Sequence, residues 1–218
     1  DAGASFSLDC SINPSLLIVE ENGLNGAYTT INAALAAATD GDTILIYPRS
    51  GGIPFAEDIY APSKINLHFH SATPGIKYGV QGNVTMMNGY EILEADITGT
   101  VSDSGNSVIG ERIANSKITG QILGTAINQN LIVENDSVFN FSGQTMMTLH
   151  RGAWIGNYIQ QTVAGYYEIT NVFSSNTATD DSIHIIGNHF DVQGGGRTIA
   201  FWGNTQYLHI ANNFLRTH

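Results

Sequence analysis

Ile155-Gly156-Asn157-Tyr158-Ile159 and Ile186-Gly187-Asn188-His189-Phe190 are one phrase written twice. An aliphatic residue leads, a small or acidic residue and usually Asn follow, and an apolar residue closes it. Outward from this pair the phrase returns, with variations, as Ile109-Gly110-Glu111-Arg112-Ile113, Val133-Glu134-Asn135-Asp136-Ser137-Val138 and Ile210-Ala211-Asn212-Asn213-Phe214. The leading aliphatics at 109, 133, 155, 186 and 210 are 24, 22, 31 and 24 residues apart. A period in the low twenties is the length of one coil of a β-solenoid, so the repeat bears on the whole fold at once.

Each coil of such a stack repeats short strands between polar turns, and like positions recur about 4.8 Å apart along the axis. Aliphatic residues then fill an interior column, while Asn residues ladder at a turn and bond to the backbone of neighbouring coils. Alternation within a coil is clear in Ile65-Asn66-Leu67-His68-Phe69-His70. Coil starts are expected at Ile44, Ile65, Val84, Val108, Leu131, Trp154, Ile183 and Leu208, about eight coils and a rod roughly 40 Å long. The one helical period precedes them. Ile31, Ala34, Leu35 and Ala38 share a helix face within 29–39, Thr29 or Thr30 can cap its first turn, and Asp40-Gly41-Asp42 stops it. The fold class is therefore all-β: a parallel β-helix over 44–218 behind a cap over 1–43 that carries one α-helix. Because the last coil stops at His218 with strand edges bare, the natural chain is expected to continue.

Tyr28 to Tyr47, with Ile31-Asn32-Ala33-Ala34, Ala37-Ala38 and Gly41-Asp42-Thr43-Ile44, resembles the opening segment of the pectin-lyase-like right-handed parallel β-helix superfamily. The later Ile-Gly-Asn phrases are similar to its coil repeats, so the resemblance covers nearly the whole chain. It implies a right-handed helix with a capping first segment. It does not choose a function, since the superfamily includes lyases, hydrolases, epimerases, tailspikes and adhesins.

Charge narrows the partners. Eight Lys and Arg stand against nineteen Asp and Glu, for a net charge of −11, which argues against nucleic acid as a ligand. Only 12% of residues are charged, and the lone Cys10 allows neither an intramolecular disulfide nor a multi-cysteine metal site. No apolar run is long enough to span a bilayer. A start at Asp1 and a surface rich in Asn, Thr, Ser and Gly suit a secreted or cell-surface protein that has lost a leader.

The repeat also works as a ruler. His150 lies five residues before Ile155 and Asp181 five before Ile186, so a shared column stacks His150 beneath Asp181 and Arg151 beneath Ser182. Asp180 adds a second carboxylate, and the set could support acid–base chemistry with Arg151 holding a sugar. Asp180-Asp181-Ser182-Ile183 is similar to the Asp-Asp-x-Ile phrase of the superfamily's polygalacturonase-like hydrolases, which implies a catalytic role for those carboxylates. The companion Asn-x-Asp, Gly-His-Gly and Arg-x-Lys phrases are absent. Between Gln160 and Ser182 one coil is longer by about seven residues and carries Tyr166 and Tyr167, which suit a sugar-binding surface.

His68 with His70, and His184 with His209, share strand faces without an identifiable third ligand, so no metal site is expected. Calcium is the one ion that the acidity and the resemblance admit, and no cofactor is otherwise expected. Gly194-Gly195-Gly196-Arg197 lacks the following helix that a phosphate loop needs. Two functions follow. The first is a secreted or cell-surface module with a structural, adhesive or glycan-binding role, whose partner is a polysaccharide or another protein. The alternative is a carbohydrate-active enzyme, a polysaccharide hydrolase ranked ahead of a lyase, because so few basic residues poorly equip the chain to abstract a proton beside a uronate.

Overall fold

The computed structural model describes residues 15–61, 64–71, 78–87, 89–103, 111–123, 131–140, 147–149, 152–162, 170–173, 182–192, 199–202 and 207–218. Its strands stack in parallel, each on the equivalent strand of the coil before it. The first face is a nine-stranded sheet: Leu16–Val19, Thr43–Ile46, Asn66–Phe69, Glu91–Leu93, Glu111–Ala114, Leu131–Glu134, Gly152–Ile155, Ser182–Ile186 and Tyr207–Ala211, in that order. Two long strands, Ala95–Asp103 and Lys117–Leu123, wrap from the second face onto the third. Above them those faces divide into Ser137–Asn140, Tyr158–Gln161, His189–Val192 and Phe214–Thr217 on one side, and Met147–Leu149, Thr170–Phe173 and Ile199–Trp202 on the other.

The corner inside the two long strands is made by glycine because backbones nearly touch there. A Cβ on Gly99 would sit 2.2 Å from the Gly82 carbonyl oxygen, and one on Gly120 would sit 2.0 Å from that of Gly99. Stacked glycines are what let one strand turn the corner without interruption.

The expected interior column exists, in a corrected register. Ile44, Leu67, Ile92, Ile113, Val133, Trp154 and Ile185 pair in sequence along the first face, and all are buried. The second face contributes Val80, Ile97, Ile118, Val138, Ile159 and Phe190 to the same core. Full burial of each such side chain stabilises the fold by about 1.5–3 kcal/mol. Ile155 does pair with Ile186, as the ruler requires. Val133, however, pairs with Trp154 rather than Ile155, and Ile210 pairs with Ile185 rather than Ile186. In the earliest phrase Ile109 and Gly110 lie outside the described residues, and Ile113 is the member that joins the column.

The slip has a physical cause. Two turn columns lie side by side. One holds the left-handed residues Glu94, Asn115, Asn135, Gly156, Gly187 and Asn212, with φ between 54° and 67°. The next holds the bonded ladder Ser116, Asp136, Asn157, Asn188 and Asn213. Asn suits both, since it tolerates positive φ and also bonds to backbone. Asn135 and Asn212 therefore belong to the conformational column and not to the ladder.

Among the described residues six coils carry strands on all three faces, against about eight expected. Val84 opens a third-face strand rather than a coil, and Val108 lies outside the described residues. The helix spans Ile31–Ala37, inside the expected 29–39. Thr30 caps it by accepting from the Ala33 N–H at 3.1 Å, and it buries Ile31, Ala34 and Leu35. Ala38 packs on the core just past its end. Asp42 then ties the cap to the coils: it accepts from the Ser15 N–H at 2.7 Å and from the Thr39 N–H at 2.8 Å. No helix among the described residues is long and apolar enough to cross a membrane.

Candidate functional site

His150, Arg151, Tyr166, Tyr167, Asp180 and Asp181 lie outside the described residues, as does Gly194-Gly195-Gly196-Arg197. What surrounds them is described. The strands just after His150–Arg151 and just after Asp180–Asp181 pair at a fixed offset of 31 residues, Gly152 with Ile183 through Ile155 with Ile186.

The outer surface of the first face is set by residues that alternate with the buried column. Asn66, Glu91, Arg112, Ile132, Ala153, His184 and His209 follow one another in register along it. Near its middle Arg112 donates to Glu91 at 2.6 Å through Nη1 and to Glu134 at 2.7 Å through Nε, while His68 donates to Glu91 at 3.0 Å. Burial pulls the Glu91 carboxyl up, but the hydrogen bonds from Arg112 and His68 outweigh it and hold it below the usual carboxylate range. The Arg112 guanidinium is pushed up, first by its bond to Glu91 and then by that to Glu134. Glu91 and Glu134, clamped to one arginine, tie three coils together, and Glu91, held low, is a poor proton donor. His68 is thus occupied with Glu91, and His70 packs its ring 4.8 Å from Tyr47. No group of three or more metal-ligating side chains occurs among the described residues.

Farther along the same surface His184 and His209 are register partners, with ring centroids 5.7 Å apart. The Ser182 hydroxyl lies 2.9 Å from His184 Nε2. Together with Tyr207 and Leu208 these residues line a recess of about 410 Å³.

The second face carries a different surface. Tyr158, His189 and Phe214 occupy one register position in three successive coils, with centroid spacings of 5.1 and 4.7 Å, and Phe139 leans onto Tyr158 at 6.0 Å. Tyr158 and His189 are half-buried, whereas Phe214 is 57% exposed. Beside the rings Asp191 accepts from the Tyr158 hydroxyl at 3.2 Å and from His218 Nε2 at 2.8 Å. Burial raises the Asp191 carboxyl, but those two bonds with the nearby His218 and Arg216 charges hold it low. Burial, then the bond to Asp191, raises the Tyr158 phenol. This aromatic row was available in the sequence: the residue directly after each ladder Asn is Tyr158, His189 or Phe214. Seeing it requires the ladder register, which the Asn135 and Asn212 alignments obscure.

No protein-family model and no curated protein matches the chain. Among solved structures it is similar to a pectin methylesterase from Aspergillus niger in deglycosylated form, at 11% identity over 92% of this chain and 85% of that one, with a TM-score of 0.41.

Proposed function

We propose that this protein is a secreted or cell-surface β-helix module that binds a glycan along its second face. The observation that carries the reading is the aromatic row Tyr158, His189 and Phe214, flanked by Phe139 and edged by polar Gln160, Asp191 and Arg216. Aromatic rings recurring at 5.1 and 4.7 Å along one line, each tilted by 63° or 62° to the next, offer apolar surface to successive sugars, and the polar column beside them suits hydroxyl groups. Strands hold the rings in place, so little ordering cost accompanies binding. The net charge of −11 favours neutral over anionic glycans. A glycan array followed by calorimetry tests this. Tyr158→Ala and Phe214→Ala should each weaken the best ligand about 3- to 10-fold, the range expected for loss of one aromatic contact. Binding that ignores both substitutions would sink the assignment to this face, and a blank array would sink glycan binding itself.

A carbohydrate-active enzyme is the second reading, with His150, Asp180 and Asp181 catalytic and Arg151, Tyr166 and Tyr167 holding the sugar. The observation in its favour is the 31-residue offset of the paired strands, the same as the separation between His150 and Asp181. Reducing-end release from a polysaccharide panel, abolished by Asp181→Ala, is its expected signature. Equal release by the variant would remove it.

A further inference from the structure

The recess on the first face joins three features that neither reading of the glycan uses. A hydroxyl and an imidazole face each other on one strand, Ser182 Oγ 2.9 Å from His184 Nε2. Residues two apart on a strand point the same way, so both project outward from the same surface. The next coil places Tyr207 over Ser182 and His209 over His184 in register, which walls the pair on one side. The coil beneath sets Ala153 under His184, so no long side chain rises to cover the imidazole from that position. Among the described residues the result is a recess of about 410 Å³ with a hydroxyl and an imidazole at hydrogen-bonding distance in it.

We infer that Ser182 and His184 form a nucleophile–base pair able to cleave small acyl esters. In the tautomer with its proton on Nδ1, His184 accepts the Ser182 O–H at Nε2. Ser182 Oγ attacks the ester carbonyl carbon as its proton passes to Nε2. The tetrahedral intermediate collapses with cleavage of the bond to the alkoxy oxygen, which takes that proton and leaves as the alcohol. Water, deprotonated by Nε2, then attacks the acyl-serine. The carboxylic acid departs and Oγ recovers its proton, so the cycle needs no oxidant, metal or further reactant. The Tyr207 ring and the His209 imidazole offer walls for a short acyl group.

A fluorophosphonate, which phosphonylates only activated serines, tests the pair directly. The expected result on the native chain is one adduct, located by peptide mass spectrometry on Ser182. Ser182→Ala should abolish it. His184→Gln should slow it by about 100-fold, the low end of what a positioned base contributes. Turnover of p-nitrophenyl acetate should fall in parallel in both variants, with unchanged far-ultraviolet circular dichroism. An adduct elsewhere, no adduct, or a His184→Gln variant that reacts at the native rate would each overturn the assignment. The peptide map uses the native chain alone, so it decides the matter even where a variant fails to fold. Glycan binding on the second face is a separate measurement that this outcome leaves untouched.

Discussion

Asp42 shows how much one carboxylate can hold. It is buried at the junction of cap and coils, with one oxygen on the Ser15 N–H and the other on the Thr39 N–H and hydroxyl. The Thr39 and Ser15 backbone bonds outweigh burial and hold its carboxyl below the usual 3.8. A folded-state value lowered relative to the unfolded chain means stabilisation that is complete above about 3.8 and is lost as pH falls through the depressed folded value. Asn at this position keeps one acceptor and turns an N–H₂ towards N–H donors, so Asp42→Asn should be destabilised at pH 6 by about 1.5–3 kcal/mol. Urea midpoints measured from pH 6 to pH 2.5 should show the gap between native and variant narrowing below pH 4. A gap that stays constant or widens would refute the role given to Asp42.

At the scale of the element, the turn between first and second faces separates two uses of one residue type. Asn188 is part of the ladder: its Nδ2 donates to the Trp154 carbonyl at 2.9 Å, and its Oδ1 accepts from the Asn157 N–H at 3.0 Å. Asn135 is exposed and serves by its φ of 54°, where the equivalent residues two coils on include Gly187. Asn135→Gly should therefore change stability by less than about 1 kcal/mol, the gain in allowed φ offsetting the flexibility of the unfolded chain. Asn188→Gly removes buried partners as well and should cost at least about 2 kcal/mol by chemical denaturation. Equal costs would dissolve the distinction between the columns. The same pair of residues explains what was legible in advance. Period and helix were readable because hydrophobic spacing alone fixes them: Ile31, Ala34 and Leu35, or Ile155 over Ile186. Phase was not, because Ile210-Ala211-Asn212-Asn213 offers two Asn residues for one ladder slot. The aromatic row on the second face is invisible until that phase is known, and Ser182 with His184 becomes a pair only when both are placed on the outer side of one strand.

For the molecule as a whole, stacking replaces a single centre. Each coil rests on its two neighbours, so stability is close to a sum of coil and interface contributions rather than one global quantity. The interior column gives the cleanest test. Ile113 lies between Ile92 and Val133 and is fully buried. Removing the Ile113 side chain leaves a cavity enclosed by neighbouring coils, which should cost about 2–5 kcal/mol as Ile113→Ala. In amide hydrogen exchange, Ile113→Ala should raise exchange across Glu91–Leu93, Glu111–Ala114 and Leu131–Glu134 together and leave distant coils unchanged. A uniform rise along all nine strands of the first face would show one cooperative unit instead of a stack of nearest neighbours.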